Sequence, residues 1–408
     1  MQKTISFLKQ EFSNYYAQTD LDVPQRFGRR EWGFFYFQGK GMQRHLAFNR
    51  VEELRDFLIT RSPRHVYYSS AYYQNPEVQP MPRKVEGWLG ADLIFDLDDE
   101  HLSGTEGLTI AQRLEKVKRI VKDRLLDDFL LSDFGINPES LKVTFSGGRG
   151  YHIHVFDPRV LTLESPERRE IVDYITGLGL DFNKIFKEQA IKVDTFRTRK
   201  VTLKSKTNLP DESESGWSGK MTEGIMRLLD DMENLSKNEC IELIQGVKIN
   251  EKPVSASQAK TTYKRLFDGK PGERGIDIIR EDKVIEILSP DSVVKIFLEL
   301  AKNKVKGIIA GETDEPVTVD TRRLIRFPGS LHGKTGLRVV TIPLGDLDEF
   351  DPLKDSIAFD DQPVEVKIEQ DSLEFELGGE QIELRAGIQS LPKYSAIYLM
   401  CRGLATIA

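Results

Sequence analysis

The sequence predicts a mixed α/β (α+β) fold in which antiparallel strands form a core that a helical insertion interrupts. Three observations carry this prediction. Short apolar, strand-like runs recur at 93–98, 141–156 and 364–384, the last two interrupted by glycine-rich turns. Helix-like spacing dominates 109–131 and 222–302. A turn-rich link, Asn208-Leu-Pro-Asp-Glu-Ser-Glu-Ser-Gly216, separates strand-rich from helix-rich sequence.

In chain order, residues 1–18 suit an amphipathic helix, strands follow at Gly33–Phe37 and Gln43–Phe48, and Val51–Arg61 reads as a helix. Tyr67-Tyr-Ser-Ser-Ala-Tyr-Tyr73 is aromatic enough to stack on bases, although burial in a core is the commoner fate of such residues. Leu93–Leu97 reads as a strand. Thr109–Leu131 reads as a helix with Leu114, Val117, Ile120, Val121 and Leu125 on one stripe. Leu141–Phe145 and Tyr151–Phe156 alternate as strands, Pro166–Leu180 suits a helix, and the charged stretch Arg197–Lys206 leads into the link. Helices are expected at Thr222–Met232, Lys237–Gln245, Ala256–Phe267 and Ser292–Lys302, and a strand at Val317–Asp320. An antiparallel meander turning at Gly378-Gly379 is expected over Val364–Leu384, and a closing helix over Lys393–Leu404. The resulting division is a discontinuous core, 1–207 with 303–408, around an insertion, 208–302.

Chemistry concentrates in three segments. In Ala91-Asp-Leu-Ile-Phe-Asp-Leu-Asp-Asp99, strand alternation puts Asp96 and Asp98 on one face, about 7 Å apart, with Phe95 and Leu97 behind them. Carboxylates this close repel unless a cation sits between them, and hard divalent ions such as Mg²⁺ or Mn²⁺ prefer oxygen ligands. Taken alone, the same spacing also suits an acidic turn.

Ser146-Gly-Gly-Arg-Gly150 lies between two strands. A tight glycine turn lets backbone N–H groups approach phosphate oxygens, and Ser146, Arg149 and His152 add a hydroxyl, a forked cation and an imidazole. No Gly-Lys-Ser/Thr follows, so this is not a Walker loop. Strand alternation follows the glycines where a dinucleotide-binding fingerprint would have a helix. An ordinary hairpin turn fits these residues as well.

The third segment runs from Val317-Thr-Val-Asp320 through a turn at Pro328-Gly329. It offers a carboxylate at Asp320, with Arg326, Ser330, His332 and Lys334 clustered around the turn. A Mg²⁺-bound triphosphate needs acidic and basic groups in one place, and the three segments together supply both.

The order Asp-x-Asp, then Ser-Gly-x-Arg-Gly-x-His, then an Asp followed by Arg-x-Pro-Gly-Ser-Leu-His-Gly-Lys-Thr-Gly resembles the catalytic small subunit of archaeal and eukaryotic DNA primases, most of all the archaeal form. Arg29-Arg-Glu-Trp-Gly-Phe34 near the start and Leu391-Pro-Lys-Tyr394 with Leu399–Leu404 near the end extend the likeness along nearly the whole chain. The resemblance implies a primase-polymerase core with RRM-like antiparallel sheet elements. It implies that Asp96, Asp98 and Asp320 bind two catalytic Mg²⁺ or Mn²⁺ ions, and that Ser146, Arg149, His152, Arg326, His332 and an early-strand arginine, Arg44, hold the triphosphate. It implies template-directed synthesis of short primers on single-stranded DNA from nucleoside triphosphates, with deoxynucleoside triphosphates left open as substrates. The expected partner is a primase large subunit carrying an iron–sulfur cluster, which two distant cysteines here could not ligate. A primase-like repair or gap-filling polymerase that needs a primer would share these residues. A non-catalytic nucleic-acid-binding module would not explain three carboxylates opposite a phosphate cradle.

In one respect the chain departs from that family. Residues 99–143 contain no cysteine and one histidine, His101, which excludes a Cys₄ or Cys₃His zinc knuckle there; a helix is expected in its place. Composition fits a cytoplasmic protein with no membrane segment: two cysteines, Cys240 and Cys401, form no paired framework, and no apolar run approaches a span. The net charge is −7, yet residues 341–380 hold thirteen Asp and Glu against Lys354 and Lys367, a net of −11, leaving +4 for the rest of the chain. Template binding that is weak and salt-sensitive follows from so modest a basic balance.

Overall fold

The computed structural model describes residues 2–100, 102, 104–181, 184–185, 187–196, 199–309 and 313–408. His101, Arg197 and Thr198, on which part of the sequence reading rests, lie outside them. The fold is mixed α/β, as the alternation and helical periods predict, and it divides into two compact units. The first holds residues 1–127, 135–172 and 312–408, the second 128–134 and 173–311. The insertion expected at 208–302 lies within the second unit.

The first unit opens with α1 (Gln2–Gln18), β1 (Trp32–Phe35), β2 (Gln43–Leu46), α2 (Val51–Arg61), β3 (His65–Ser69), β4 (Ala71–Tyr73), α3 (Met81–Glu86), β5 (Trp88–Ala91) and β6 (Leu93–Asp98). Then come α4 (Ile110–Arg119), a π-helical run over Ile120–Asp133 whose residues 128–133 belong to the second unit, β7 (Leu141–Phe145), β8 (Gly150–Val155) and α5 (Ser165–Thr176), whose last four residues also belong to the second unit. The long helix expected over 109–131 thus changes pitch at Ile120. Thr109 starts α4 with a reciprocal cap, its side chain accepting from Gln112 N–H while Gln112 returns to Thr109 N–H.

The second unit contains the antiparallel pair β9 (Lys187–Phe196) and β10 (Arg199–Asn208), helices α6 (Trp217–Asn234) and α7 (Lys237–Gln245), the short strands β11 (Lys248–Ile249) and β12 (Lys252–Pro253), and helices α8 (Ala256–Phe267), α9 (Gly275–Asp282) and α10 (Asp291–Ile309). Ser236 and Ser255 cap α7 and α8 in the same reciprocal manner as Thr109. The charged stretch ending at Lys206 falls in β10, where its alternation suits a strand.

The chain then returns to the first unit with α11 (Glu315–Val319), β13 (Leu324–Arg326), β14 (Val340–Ile342), β15 (Pro363–Ile368), β16 (Leu373–Leu377), β17 (Glu380–Leu384), β18 (Gly387–Pro392), α12 (Lys393–Arg402) and β19 (Ala405–Ile407). Two expectations are corrected here. Residues 317–320 end a helical turn and are not a strand, because Asp314-Glu-Pro316 is a helix start with proline in its first turn. The meander is also broken: β16 and β17 pair across Gly378-Gly379, but β15 pairs with β18 and β19. Pairing with β18 and β19 buries Val366 and Ile368 fully, a reward that adjacency to β16 does not offer.

Two four-stranded sheets position the site, one ordered β14-β7-β8-β6 and the other β13-β3-β1-β2. In the first, Phe95, Val143, Phe145, Tyr151 and Ile153 share a face and are wholly buried. Each such side chain contributes about 1.5–3 kcal/mol on burial, which fixes the register and turns the alternate residues, Asp96, Asp98, Thr144, His152 and His154, to the opposite face. The start of β6 is pinned independently. Arg30 and Asp92 form a fully buried ion pair at 2.7 Å, and Arg168 donates to the Asp92 and Ala91 carbonyls at 2.9 and 2.8 Å.

Candidate active site

The strand register brings Asp96 opposite His152 and Asp98 opposite Gly150. A Cβ at Gly150 would stand 2.0 Å from the Leu97 carbonyl oxygen, so only glycine lets β8 begin this close to the acidic strand. His152 Nε2 lies 3.5 Å from Asp96 Oδ1. Asp314 N–H donates to the Asp96 carbonyl at 2.9 Å, and its charge is felt at the Asp96 carboxyl. Burial, then the charges of Asp98 and Asp314, raise the Asp96 carboxyl to about 7, partly offset by Arg323 and Arg326.

Asp320 follows on the same short helix as Asp314. It ends α11, its Oδ1 accepting from the Arg322 N–H at 2.9 Å, and its charge acts on Tyr73 and Arg168. Asp314 thus joins Asp96 through its main chain, and Asp320 caps the other end of the same short helix. The helix start that defines Asp314 was the available sequence signal.

The glycine turn is closed from within. Ser146 Oγ accepts from the N–H groups of Gly148 and Gly150, both at 3.3 Å, and Ser146 N–H donates to the Gly150 carbonyl at 2.9 Å. Gly147 has φ +73°, and a Cβ there would meet His332 Cβ at 2.7 Å. Thr335 Oγ1 donates to the Gly147 carbonyl at 2.6 Å and shares a 3.1 Å hydrogen bond with His332 Nδ1. The second and third motifs are thus one interlocked structure. Arg149, more than half exposed, pairs with Glu100 and lies 3.9 Å from Asp99.

Arg326 pairs in register with Tyr67, its guanidinium 4.7 Å from that ring, and meets His65 Nδ1 at 2.5 Å. The same nitrogen receives the Gly333 N–H at 3.1 Å, and the His65 and His332 rings lie edge to face at 5.1 Å. Burial, then the Arg326 charge, lowers His65 to about 2 and His152 to about 3, and holds His332 well below its usual range. These imidazoles are neutral at pH 7, so arginine and lysine carry the positive charge of the cradle.

Arg44 is engaged differently from the sequence reading. Its Nε donates to Glu31 Oε1 at 3.0 Å, and Glu31, fully buried, also holds Lys84 at 2.9 Å. Among the expected residues the structure gathers Asp96, Asp98, His152 and Arg326 at the facing sheets and Ser146, Arg149 and His332 at the turn. Residues missed by sequence reasoning are Asp314, Arg323 and His65. His65 gave no local signal, since its partners lie more than 260 residues away.

No three described His, Cys, Asp or Glu side chains converge into a ready-made ion cage. Mg²⁺ commonly binds through one or two carboxylates with water and substrate phosphates, and the paired Asp96 and Asp98 match that donor set. The raised Asp96 pKa marks unbalanced negative potential that a cation would relieve.

An acidic strand and a locked glycine turn, with arginines near both, define a class of protein built to hold a polyanion beside carboxylates. A family model described as DNA primase small subunit matches residues 95–343. The chain is 38% identical over 406 residues to the DNA primase small subunit PriS of Methanothrix thermoacetophila, covering 99% of each. It is 38% identical over 407 residues to that of Methanocella arvoryzae and 35% over 419 residues to that of Haloarcula marismortui, covering 99% of this chain and 98% of the relative in both cases. The chain belongs to the DNA primase small subunit family.

Proposed function

We propose that this chain is the catalytic subunit of a primase and synthesises short primers from nucleoside triphosphates on single-stranded DNA. The observation that carries the reading is the common face of Asp96 and Asp98, with Asp314 alongside and Arg323 and Arg326 acting on the same carboxyl. Asp96 and Asp98, with Asp320 as the resemblance implies, would hold Mg²⁺ or Mn²⁺. When bound, such ions acidify a 3′-hydroxyl and neutralise phosphate oxygens.

The protein's own part is positioning. Arg326 is held by His65 and Tyr67 so that its charge faces the carboxylates without collapsing onto them. Arg149, on the exposed turn, has a flexible fork free to exchange Glu100 for phosphate oxygens. The 3′-oxygen bonds to the α-phosphorus as the bond to the bridging oxygen breaks, the hydroxyl proton is lost, and pyrophosphate leaves. No protein nucleophile is required. Ribonucleotide use, a large subunit with an iron–sulfur cluster and a cytoplasmic location complete the proposal. No helix among the described residues is long and apolar enough to cross a membrane.

The test is incubation of the purified chain with single-stranded DNA, Mg²⁺ or Mn²⁺ and labelled nucleoside triphosphates without primer, beside an Asp96→Ala/Asp98→Ala control. Short products that vanish in the control support the reading. Products formed only on an added primer would replace it with a gap-filling polymerase.

A further inference from the structure

We propose that a cationic cavity beside the cradle is a separate subsite for inorganic pyrophosphate, with Arg113 and Arg402 as its ligands. This rests on the nucleotidyl-transfer reading, for which pyrophosphate is the leaving group. The cavity, about 400 Å³, is lined by Arg64, Arg113, Arg149, Lys334 and Arg402 with the His332 ring, against one carboxylate, Asp99. Its size is that of small-ligand pockets. It meets the cradle at Gly148, Arg149 and His332, while Asp96, Asp98, Asp314, His152 and Arg326 take no part in its walls.

Its polar groups are incompletely satisfied. Asp99, 8% exposed, has an Oδ1 with no hydrogen bond and lies 3.4 Å from Arg113 and 3.9 Å from Arg149. Arg113 Nε is buried without a partner. A buried donor such as Arg113 Nε costs stability unless a ligand acceptor or water reaches it. Five cations facing one carboxylate select a multiply charged anion, and arginine forks suit phosphate oxygens in particular.

Two elements outside the three motifs deliver the key arginines. The reciprocal cap at Thr109 and Gln112 fixes the first turn of α4 and with it Arg113. On α12, Arg402 donates to Tyr398 Oη at 3.1 Å, and its guanidinium lies 5.3 Å from that ring, so an exposed side chain is held at the cavity wall. A pyrophosphate leaving the carboxylates therefore passes from Arg149 to Arg113 and Arg402, clearing the cradle for the next nucleotide.

The experiment is calorimetric titration of inorganic pyrophosphate with Mg²⁺ into the full chain, its Arg113→Gln and Arg402→Gln variants, and Arg119→Gln as a control on the same helix outside the cavity. The Km for nucleotide is measured in parallel. Loss of one charge-assisted contact should weaken pyrophosphate about tenfold in each cavity variant, with a smaller rise in Km, and leave the control like the parent. Arg402 is exposed, so its variant keeps the test valid if Arg113→Gln misfolds. Unchanged affinity in both variants overturns the site. A Km raised as much as the pyrophosphate Kd assigns the arginines to the nucleotide's own γ-phosphate and overturns the separate subsite. Pyrophosphate binding without any nucleotide incorporation by the parent would remove the product role together with the transfer reading.

Discussion

Replacing Asp96 with Asn should abolish catalysis and stabilise the metal-free fold at the same time. The carboxyl is raised from its ordinary 3.8 to about 7, by burial first and then by Asp98 and Asp314. The folded state thus binds more protons than the unfolded state between those pH values, and stability must fall as pH rises through that window. At about 1.4 kcal/mol per pH unit, the ionised carboxylate costs at most about 4 kcal/mol above pH 7. An asparagine in its place still has a polar group to bury, at about 1–2 kcal/mol, so the expected net gain at pH 8 is about 2–3 kcal/mol. By pH 5 most of the penalty is gone, and the difference between variant and parent should shrink by about 2–3 kcal/mol. Urea unfolding with a chelator present, at pH 5 and pH 8, measures both quantities. A variant less stable than the parent at pH 8, or a difference equal at the two pH values, would refute the account of Asp96 as an uncompensated buried charge.

Three further outcomes are expected. Asp320→Ala should lower nucleotide incorporation about a hundredfold or more, the scale of a lost electrostatic contact to a reacting centre; a loss of only a few-fold would withdraw the metal role of Asp320. Gly150→Ala places a methyl group 2.0 Å from the Leu97 carbonyl and should destabilise the protein by about 2–4 kcal/mol, so an unchanged urea midpoint would disprove the close approach of β8 to β6. His65 and His152, held to about 2 and about 3 against an ordinary 6.5, are neutral when folded. Their depressed values stabilise the fold fully above pH 6.5 and lose that contribution on acidification, each at up to about 1.4 kcal/mol per pH unit, which outweighs the single opposing proton of Asp96. A metal-free protein that grows more stable from pH 6.5 to pH 5 would contradict this.

Local pattern carried the parts of the fold that local physics decides. The period-two alternation of Leu93–Asp98 and Tyr151–Val155 survives intact because one face of each strand is buried and a slip of one residue would invert it. That same alternation put Asp96, Asp98 and His152 on one face before any partner strand was known. The break in the helix at Ile120, the exchange of β16 for β18 beside β15 and the buried Arg30–Asp92 pair follow from packing between distant segments, and no window of sequence contains their cause.

The segment that carries Asp320 shows where such reading fails. Val317-Thr-Val is β-branched and invites a strand, so alternation was applied to Asp320. Pro316 in the first helical turn overrides that propensity, since proline with fixed φ starts a helix at no hydrogen-bonding loss. Once the segment is helical, Asp314 sits just before it and Asp320 just after it. Asp314 is held there by its backbone N–H on the Asp96 carbonyl, a bond that any residue could make, so the position is set by main chain and only the charge by the side chain. Asp96 and Asp98 thus lie on a strand while Asp314 and Asp320 bracket a short helix, two devices with different periods, and a reading that applies a single period to both finds the strand and misses the helix.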